Sequence, residues 1–94
     1  MSLARTRGFL SGGMVIWELN GNQFEFTPDE FRDLGLALRE QGLFGSLKQG
    51  RPALLNQILA LFAPETEEHE KELEYLLEQS FLDLQGKLDR LREV

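Results

Sequence analysis

A nearly unbroken apolar stretch, PALLNQILALFA at residues 52–63, most constrains the fold of this chain, because only Asn56 and Gln57 interrupt it. A helix that is apolar on almost every side must be covered by other elements, so the stretch predicts a buried central helix. It is too short to cross a bilayer, which needs about 20 apolar residues in a row. The side chains expected in the core together are Leu54, Leu55, Ile58, Leu59, Leu61 and Phe62.

Length and charge limit the classes of function. A chain of 94 residues suits one small domain, whose thin stability margin would benefit from a partner surface. The net charge of −6 opposes general binding to nucleic acid or to anionic membranes, which attract excess Lys and Arg. The chain has no cysteine, which excludes disulfides and thiolate metal sites and fits a cytoplasmic protein.

The first residues carry little structural signal. Residues 1–13 show no sustained hydrophobic period and end in Ser-Gly-Gly, so we predict a flexible leader followed by a single domain over residues 14–94. Two interpretations are open. The leader is either a cloning remnant upstream of a natural start at Met14, or a basic arm that orders on a partner, which Phe9 and Leu10 favour.

Residues 14–26 predict a β-hairpin. The segments MVIWEL and NQFEF flank Asn20 and Gly21, the pair most favoured in a two-residue type I′ turn. Such a turn fixes the register, so Trp17 faces Phe24. A lone hairpin is marginal in water, so its apolar face should lie on the helices. That face holds Val15, Trp17, Leu19, Phe24 and Phe26, with Ile16 as an exception on the other face.

The next segment predicts a well-capped helix over residues 28–41. Thr27 supplies an N-cap hydroxyl, Pro28 suits the first helical position, and Glu30 completes a capping box. Gly42 is expected to end the helix as its C′ residue. Three apolar side chains at helical spacing are predicted to be buried: Phe31, Leu34 and Leu38.

Residues 42–51 read as a glycine-rich connector with room for one helical turn. Gly45 and Gly50 have the spacing of a phosphate-binding loop, but the required Lys-Ser/Thr pair is missing and the loop follows a helix. A weaker expectation is that Lys48, Arg51 and the free amides at the start of the next helix hold a single anion.

A long amphipathic helix is predicted over residues 65–94. Its apolar residues follow coiled-coil spacing, and the expected dimer seam is Leu77, Phe81, Leu84, Leu88 and Leu91. Such a helix would be about 45 Å long. A compact domain of this size is roughly 31 Å across, so a monomer would leave the far leucines in water. A second copy would cover them; the alternative is a break near Gly86 that folds the last turns back.

No arrangement of residues predicts catalysis or a cofactor. Glu65, His69 and Glu72 share one helical face, but one imidazole among solvated carboxylates is more typical of a helix start than of a metal site. The chain has no cysteine nucleophile, and no serine motif accompanies the single histidine. We therefore expect no metal, no cofactor and no enzyme activity.

The sequence predicts an α+β fold, mainly α, with an N-terminal β-hairpin followed by three helices. The expected function is a small protein-interaction or adaptor module, paired with itself through the last helix or with another protein. Two further interpretations are open. A DNA-binding regulator is opposed by the charge, the long connector and the apolar second helix, and a small carboxylate-based enzyme comes third.

Overall fold

The structure, a computed structural model, describes residues 6–92 and the side chains of residues 6–90. A three-stranded antiparallel sheet at the N-terminus is followed by three helices, the last of them long. The elements are β1 (Thr6–Ser11), β2 (Met14–Leu19), β3 (Asn22–Phe26), α1 (Pro28–Gly50), α2 (Pro52–Phe62) and α3 (Glu67–Arg92). The predicted α+β fold with dominant helices is confirmed.

The hairpin of β2 and β3 has the predicted turn and register. Asn20 and Gly21 have φ angles of 50° and 84°, as a type I′ turn requires, and Trp17 lies opposite Phe24. The inner face of the sheet packs on the helices and buries Val15, Trp17, Leu19 and Phe26. Ile16, on the outer face, is also buried, at 4% exposure.

The structure corrects the leader prediction for residues 6–11, which form β1. Gly12 and Gly13 have φ angles of 59° and 79° and make a second two-residue turn, after which β1 pairs antiparallel with β2. Gly8 lies opposite Trp17 in this ladder. The sheet therefore has one strand more than the predicted hairpin; residues 1–5 lie outside the described part of the chain.

Helix α1 begins with the predicted capping box. The Thr27 hydroxyl accepts a hydrogen bond from the Glu30 N–H at 3.1 Å, and the Thr27 N–H donates to Glu30 Oε1 at 3.0 Å. Gly42 has a φ angle of 73°, so the helical geometry breaks where the sequence predicts. The chain then continues as a second helical segment over residues 43–50, where the sequence predicted a connector with one helical turn.

The second segment of α1 is capped from α3. Glu74 Oε2 accepts a hydrogen bond from the Phe44 N–H at 2.8 Å, and the Ser46 hydroxyl donates to the Gly42 carbonyl, also at 2.8 Å. The first N–H groups of a helix have no intrahelical partner. The Glu74 carboxylate therefore stabilises a helix start that lies thirty residues away in the chain.

Helix α2 is less buried than predicted. Leu54, Leu55 and Ile58 lie in the core, but Leu61 is 37% exposed. The helix packs chiefly against α1, so one face is covered and the opposite face meets solvent. The expectation of a helix covered on all sides is wrong because neighbouring elements cover only that face.

Helix α3 is continuous through Gly86, so the predicted alternative of a break there is wrong. Its buried residues pack against α1 and the sheet. The Phe81 ring stacks on Phe31 with centroids 4.5 Å apart and meets the edge of Trp17 at 5.7 Å. Trp17 Nε1 donates to the Ser80 hydroxyl at 2.9 Å, which satisfies the buried indole N–H. Among the described residues, no helix is both long and apolar enough to cross a membrane.

Candidate interaction surface

The predicted dimer seam lies mostly inside the single chain. Leu77 and Phe81 are fully buried, Leu84 is 2% exposed, and Leu88 packs half-buried against the core. The side chain of Leu91 lies outside the described part. The structure thus gives three of the five seam residues a place in the core of their own chain, which corrects the premise that a monomer leaves Leu84 in water.

Strand β1 accounts for this burial. A Cβ atom added to Gly8 would lie 2.6 Å from Leu84 Cγ, so the missing side chain lets α3 approach the sheet closely. Real Cβ atoms do not tolerate such a contact, so Leu84 occupies the space that a larger residue at position 8 would need. The segment predicted to be a leader therefore covers the end of α3.

One apolar area remains open beside this contact. Leu10 is 46% exposed at the end of β1, and Leu88 lies half-buried on α3. Both residues line two neighbouring clefts of about 270 Å³ and 470 Å³. We call this area the Leu10–Leu88 patch. Its other apolar lining residues are Phe9, Val15, Pro28, Phe31 and Leu84.

Charged side chains of both signs surround the Leu10–Leu88 patch. Arg32 and Asp89 line the smaller cleft, and Lys87 and Arg90 line the larger one. Aromatic and aliphatic residues with a charged rim are typical of protein-interaction surfaces. The other large apolar side chains that are exposed among the described residues are Leu36, Leu61, Tyr75 and Leu82.

The two predicted anion contacts, Lys48 and Arg51, differ in their surroundings. Arg51 Nη1 donates to the Glu25 carbonyl at 3.0 Å, lies 3.5 Å from Glu30 Oε2, and its guanidinium sits 5.1 Å from the centre of the Phe26 ring. Lys48 is exposed near the end of α1 and is not among the residues that line the cleft beside Arg51. Arg51 therefore has partners within the fold, and the anion contact stays a prediction.

The cleft beside Arg51 has an acidic lining that opposes an anion. Glu30 and Asp33 both contribute to it. The hydrogen bond from the Thr27 backbone N–H holds the pKa of Glu30 below its usual value, against the opposing effect of burial. The Thr27 hydroxyl and the Arg51 charge lower this pKa further, so Glu30 stays ionised at neutral pH.

The residues around His69 lie on the exposed start of α3. Thr66 Oγ1 accepts a hydrogen bond from the His69 N–H at 3.1 Å, so this segment has an ordinary helix cap. Glu65, His69 and Glu72 are all exposed. Within residues 6–92, no group of three histidine or acidic side chains is placed to hold a metal ion.

Sequence reasoning missed the residues that build the Leu10–Leu88 patch from the strand side. The available signal was Gly12-Gly13 directly before MVIWEL, because a Gly-Gly pair between two extended runs is typical of a two-residue hairpin turn. It was obscured because Gly8 occupies an inward position and breaks the apolar alternation of β1.

Comparison with models of known protein families, with curated proteins and with solved structures finds no match for the chain.

Proposed function

We propose that this chain is a small protein-interaction module that acts as a homodimer through the Leu10–Leu88 patch. The observation that carries the proposal is Leu10, a large apolar side chain 46% exposed beside the half-buried Leu88. An oligomer of identical chains most often forms around a two-fold axis, which places the same patch on both sides of the interface. Leu77, Phe81 and Leu84 of the predicted seam are buried within the chain, which favours the patch as the contact surface.

The energetics favour covering the patch. Full burial of one large aliphatic side chain contributes about 1.5 to 3 kcal/mol of free energy. In a two-fold dimer each patch side chain is buried in both copies, so its contribution is made twice. Association also costs translational freedom and side-chain order, so only part of this gain appears as affinity. We therefore expect a dimer of moderate affinity, formed at micromolar concentrations.

The charge and composition support a protein partner over other classes. The net charge of −6 disfavours nucleic acid, and the absence of cysteine suits the cytosol, where we place the protein as part of this proposal. The adaptor role follows from the same surface, since a homodimer presents two copies of each remaining exposed face.

Light scattering across micromolar concentrations tests the proposal. We expect the parent chain to be dimeric and the variants Leu10→Ser and Leu88→Gln to be monomeric, with circular dichroism showing that each variant is folded. Leu36→Gln is the matched control, because Leu36 is 68% exposed on α1 and should leave the dimer intact. A parent chain that stays monomeric at high micromolar concentration would contradict the proposal, as would dimers unaffected by both patch substitutions.

A further inference from the structure

The two hairpin turns determine which backbone groups face the free edges of the sheet. A two-residue hairpin turn is closed by a hydrogen-bonded residue pair, and such pairs alternate along an antiparallel ladder. The pairs Ser11 with Met14 and Leu19 with Asn22 close the two turns. The N–H and C=O groups of residues 7, 9 and 11 therefore face β2, while those of Thr6, Gly8 and Leu10 face outward.

The outer edge of β3 is closed. By the same alternation, the backbone groups of Gln23 and Glu25 face outward from β3. The Glu25 carbonyl accepts the hydrogen bond from Arg51 Nη1 at 3.0 Å, which agrees with this assignment. A guanidinium on the fourth residue of a five-residue strand occupies part of the position that another strand would need.

The outer edge of β1 is open. Within residues 6–92, no backbone hydrogen bond outside the ladders of the sheet involves Thr6, Gly8 or Leu10. Natural edges are usually protected by proline, a bulge or an inward charge. β1 has no proline, its register to β2 is unbroken, and its single charge, Arg7, pairs with Glu18 at 3.1 Å on the outer face.

We propose that the edge of β1 pairs antiparallel with β1 of a second copy, around a two-fold axis at Gly8, to form a six-stranded sheet. This inference rests on the proposed homodimer and specifies its geometry. The backbone of Gly8 then exchanges hydrogen bonds with the backbone of the partner's Gly8. The backbone of Thr6 pairs in the same way with the partner's Leu10, and that of Leu10 with the partner's Thr6. This register uses every outward backbone group of the described strand.

A second copy fits this edge for two reasons. Its outward groups have the spacing that an antiparallel ladder requires, because the two strands are identical and related by the axis. The edge also adjoins the Leu10–Leu88 patch, since the larger cleft is lined by Gly8, Phe9 and Leu10 on the strand side and by Leu88 on the helix side. The surface that strand pairing alone would bury is small compared with the 1,200 to 2,000 Å² that specific interfaces bury. The β1 edge and the Leu10–Leu88 patch must therefore form the interface together.

The charges near the axis are compatible with this arrangement. The last turns of α3 carry charges of both signs, namely Asp83, Lys87, Asp89, Arg90 and Arg92. The two-fold axis brings two copies of this helix end close together. Because each copy carries charges of both signs, the acids of one copy can pair with the cations of the other.

Disulfide trapping tests the proposal, because the natural chain has no cysteine. In the Gly8 register, Arg7 lies opposite the partner's Phe9 in a non-hydrogen-bonded pair, where side chains are close. A mixture of the variants Arg7→Cys and Phe9→Cys should form a covalent dimer on mild oxidation, faster than either variant alone. The matched control is a mixture of Gln23→Cys and Glu25→Cys, which lie on the same sheet face at the closed edge and should remain unlinked.

Hydrogen exchange of single amides gives a second readout that needs no substitution. On raising the concentration from monomer to dimer, the amides of Gly8 and Leu10 should slow by on the order of tenfold or more. The Phe9 amide, which bonds to β2 in either state, should change far less.

The outcomes separate the two proposals. A dimer by light scattering without selective trapping or slowed exchange at Gly8 and Leu10 overturns the edge pairing and leaves the patch dimer standing. A chain that is monomeric at every concentration tested overturns both the patch dimer and the edge pairing. The β1 edge would then be open to a strand of a different protein. If Phe9→Cys alone forms a covalent dimer faster than its mixture with Arg7→Cys, the edge pairing stands and the Gly8 register is wrong.

Discussion

At the scale of single residues, the capping box at Thr27 is where the sequence predicts the structure most closely. Four neighbouring residues carry the whole signal, and the two reciprocal hydrogen bonds form as expected. Residues that act through distant partners gave no comparable signal. Nothing in the sequence near Phe44 indicates that Glu74 caps it, because that contact exists only after α3 has packed.

The cap predicts a measurable loss of stability. Thr27→Ala removes the hydroxyl that accepts the Glu30 N–H and should lower the free energy of unfolding by about 1 kcal/mol. Urea denaturation measures the change as a lower midpoint. Thr27→Ser keeps the hydroxyl and should remain close to the parent chain. An unchanged midpoint for Thr27→Ala would show that the hydroxyl contributes nothing to the start of α1.

The same cap predicts a pH dependence. Because the folded state lowers the pKa of Glu30, its contribution to stability is complete above the ordinary glutamate pKa and is lost as the pH falls through the lowered one. Glu30→Gln lacks this ionisation. The stability difference between parent and Glu30→Gln should therefore be largest near neutral pH and shrink below about pH 4. Denaturation series at several pH values measure it; a difference that grows on acidification would contradict the assignment.

At the scale of elements, the wrong predictions for Leu84 and Leu61 have different causes. The register of β2 and β3 was predictable because Asn20-Gly21 is a strong local signal, and the start of α1 was predictable from its cap. β1 was missed because Gly8 stands at an inward position. Leu84 was consequently assigned to a dimer seam, since the strand that covers it was absent from the predicted fold. Leu61 of α2 was assigned to the core because composition shows how apolar a helix is, but not how many neighbours it has.

The surroundings of Gly8 in β1 and of Gly86 in α3 predict opposite effects on stability when each is replaced by alanine. Gly8→Ala places a Cβ against Leu84 and should destabilise the fold by about 1 to 3 kcal/mol, as overpacking does. Gly86→Ala lies in a continuous helix with no atom within 4 Å of the added Cβ, so it should stabilise the chain by up to about 1 kcal/mol. Thermal denaturation of both variants measures the signs. Two changes of the same sign would contradict the packing described for one of the two positions.

The cap that α3 supplies to α1 predicts a third stability change. Glu74→Ala leaves the Phe44 N–H without its acceptor and should cost about 1 kcal/mol. Glu72→Ala, two residues earlier on the same helix and exposed, is the control and should change little. Equal midpoints for the two variants in urea would show that the Glu74 carboxylate is not a cap in solution.

At the scale of the whole molecule, the fold is longer than a compact sphere of this chain length. The molecule measures 43 × 27 × 20 Å, and its longest dimension accommodates α3. The sphere estimate of roughly 31 Å was therefore too short, and the predicted fold also lacked β1, which contacts α3. Of the described residues in the predicted seam, Leu88 is half-buried beside the exposed Leu10, and Leu77, Phe81 and Leu84 are buried.

Removal of residues 1–13, so that the chain starts at Met14, tests the role of β1 at this scale. The truncation uncovers Leu84 and one edge of β2, and should lower the free energy of unfolding by about 3 kcal/mol or more. The measurement is urea denaturation of both chains at a concentration where each is monomeric. A truncated chain as stable as the parent would show that β1 contributes no net stability, as the leader prediction implied.

The hydrogen bond between Trp17 and Ser80 makes the molecule its own optical probe. The chain has one tryptophan, and its indole is fully buried between the sheet and α3. Its fluorescence therefore reports whether the last helix is docked on the strands, without any attached dye. Separation of the two would expose the ring to water and shift its emission to longer wavelength, while a helix that merely frays beyond Gly86 would leave the signal unchanged.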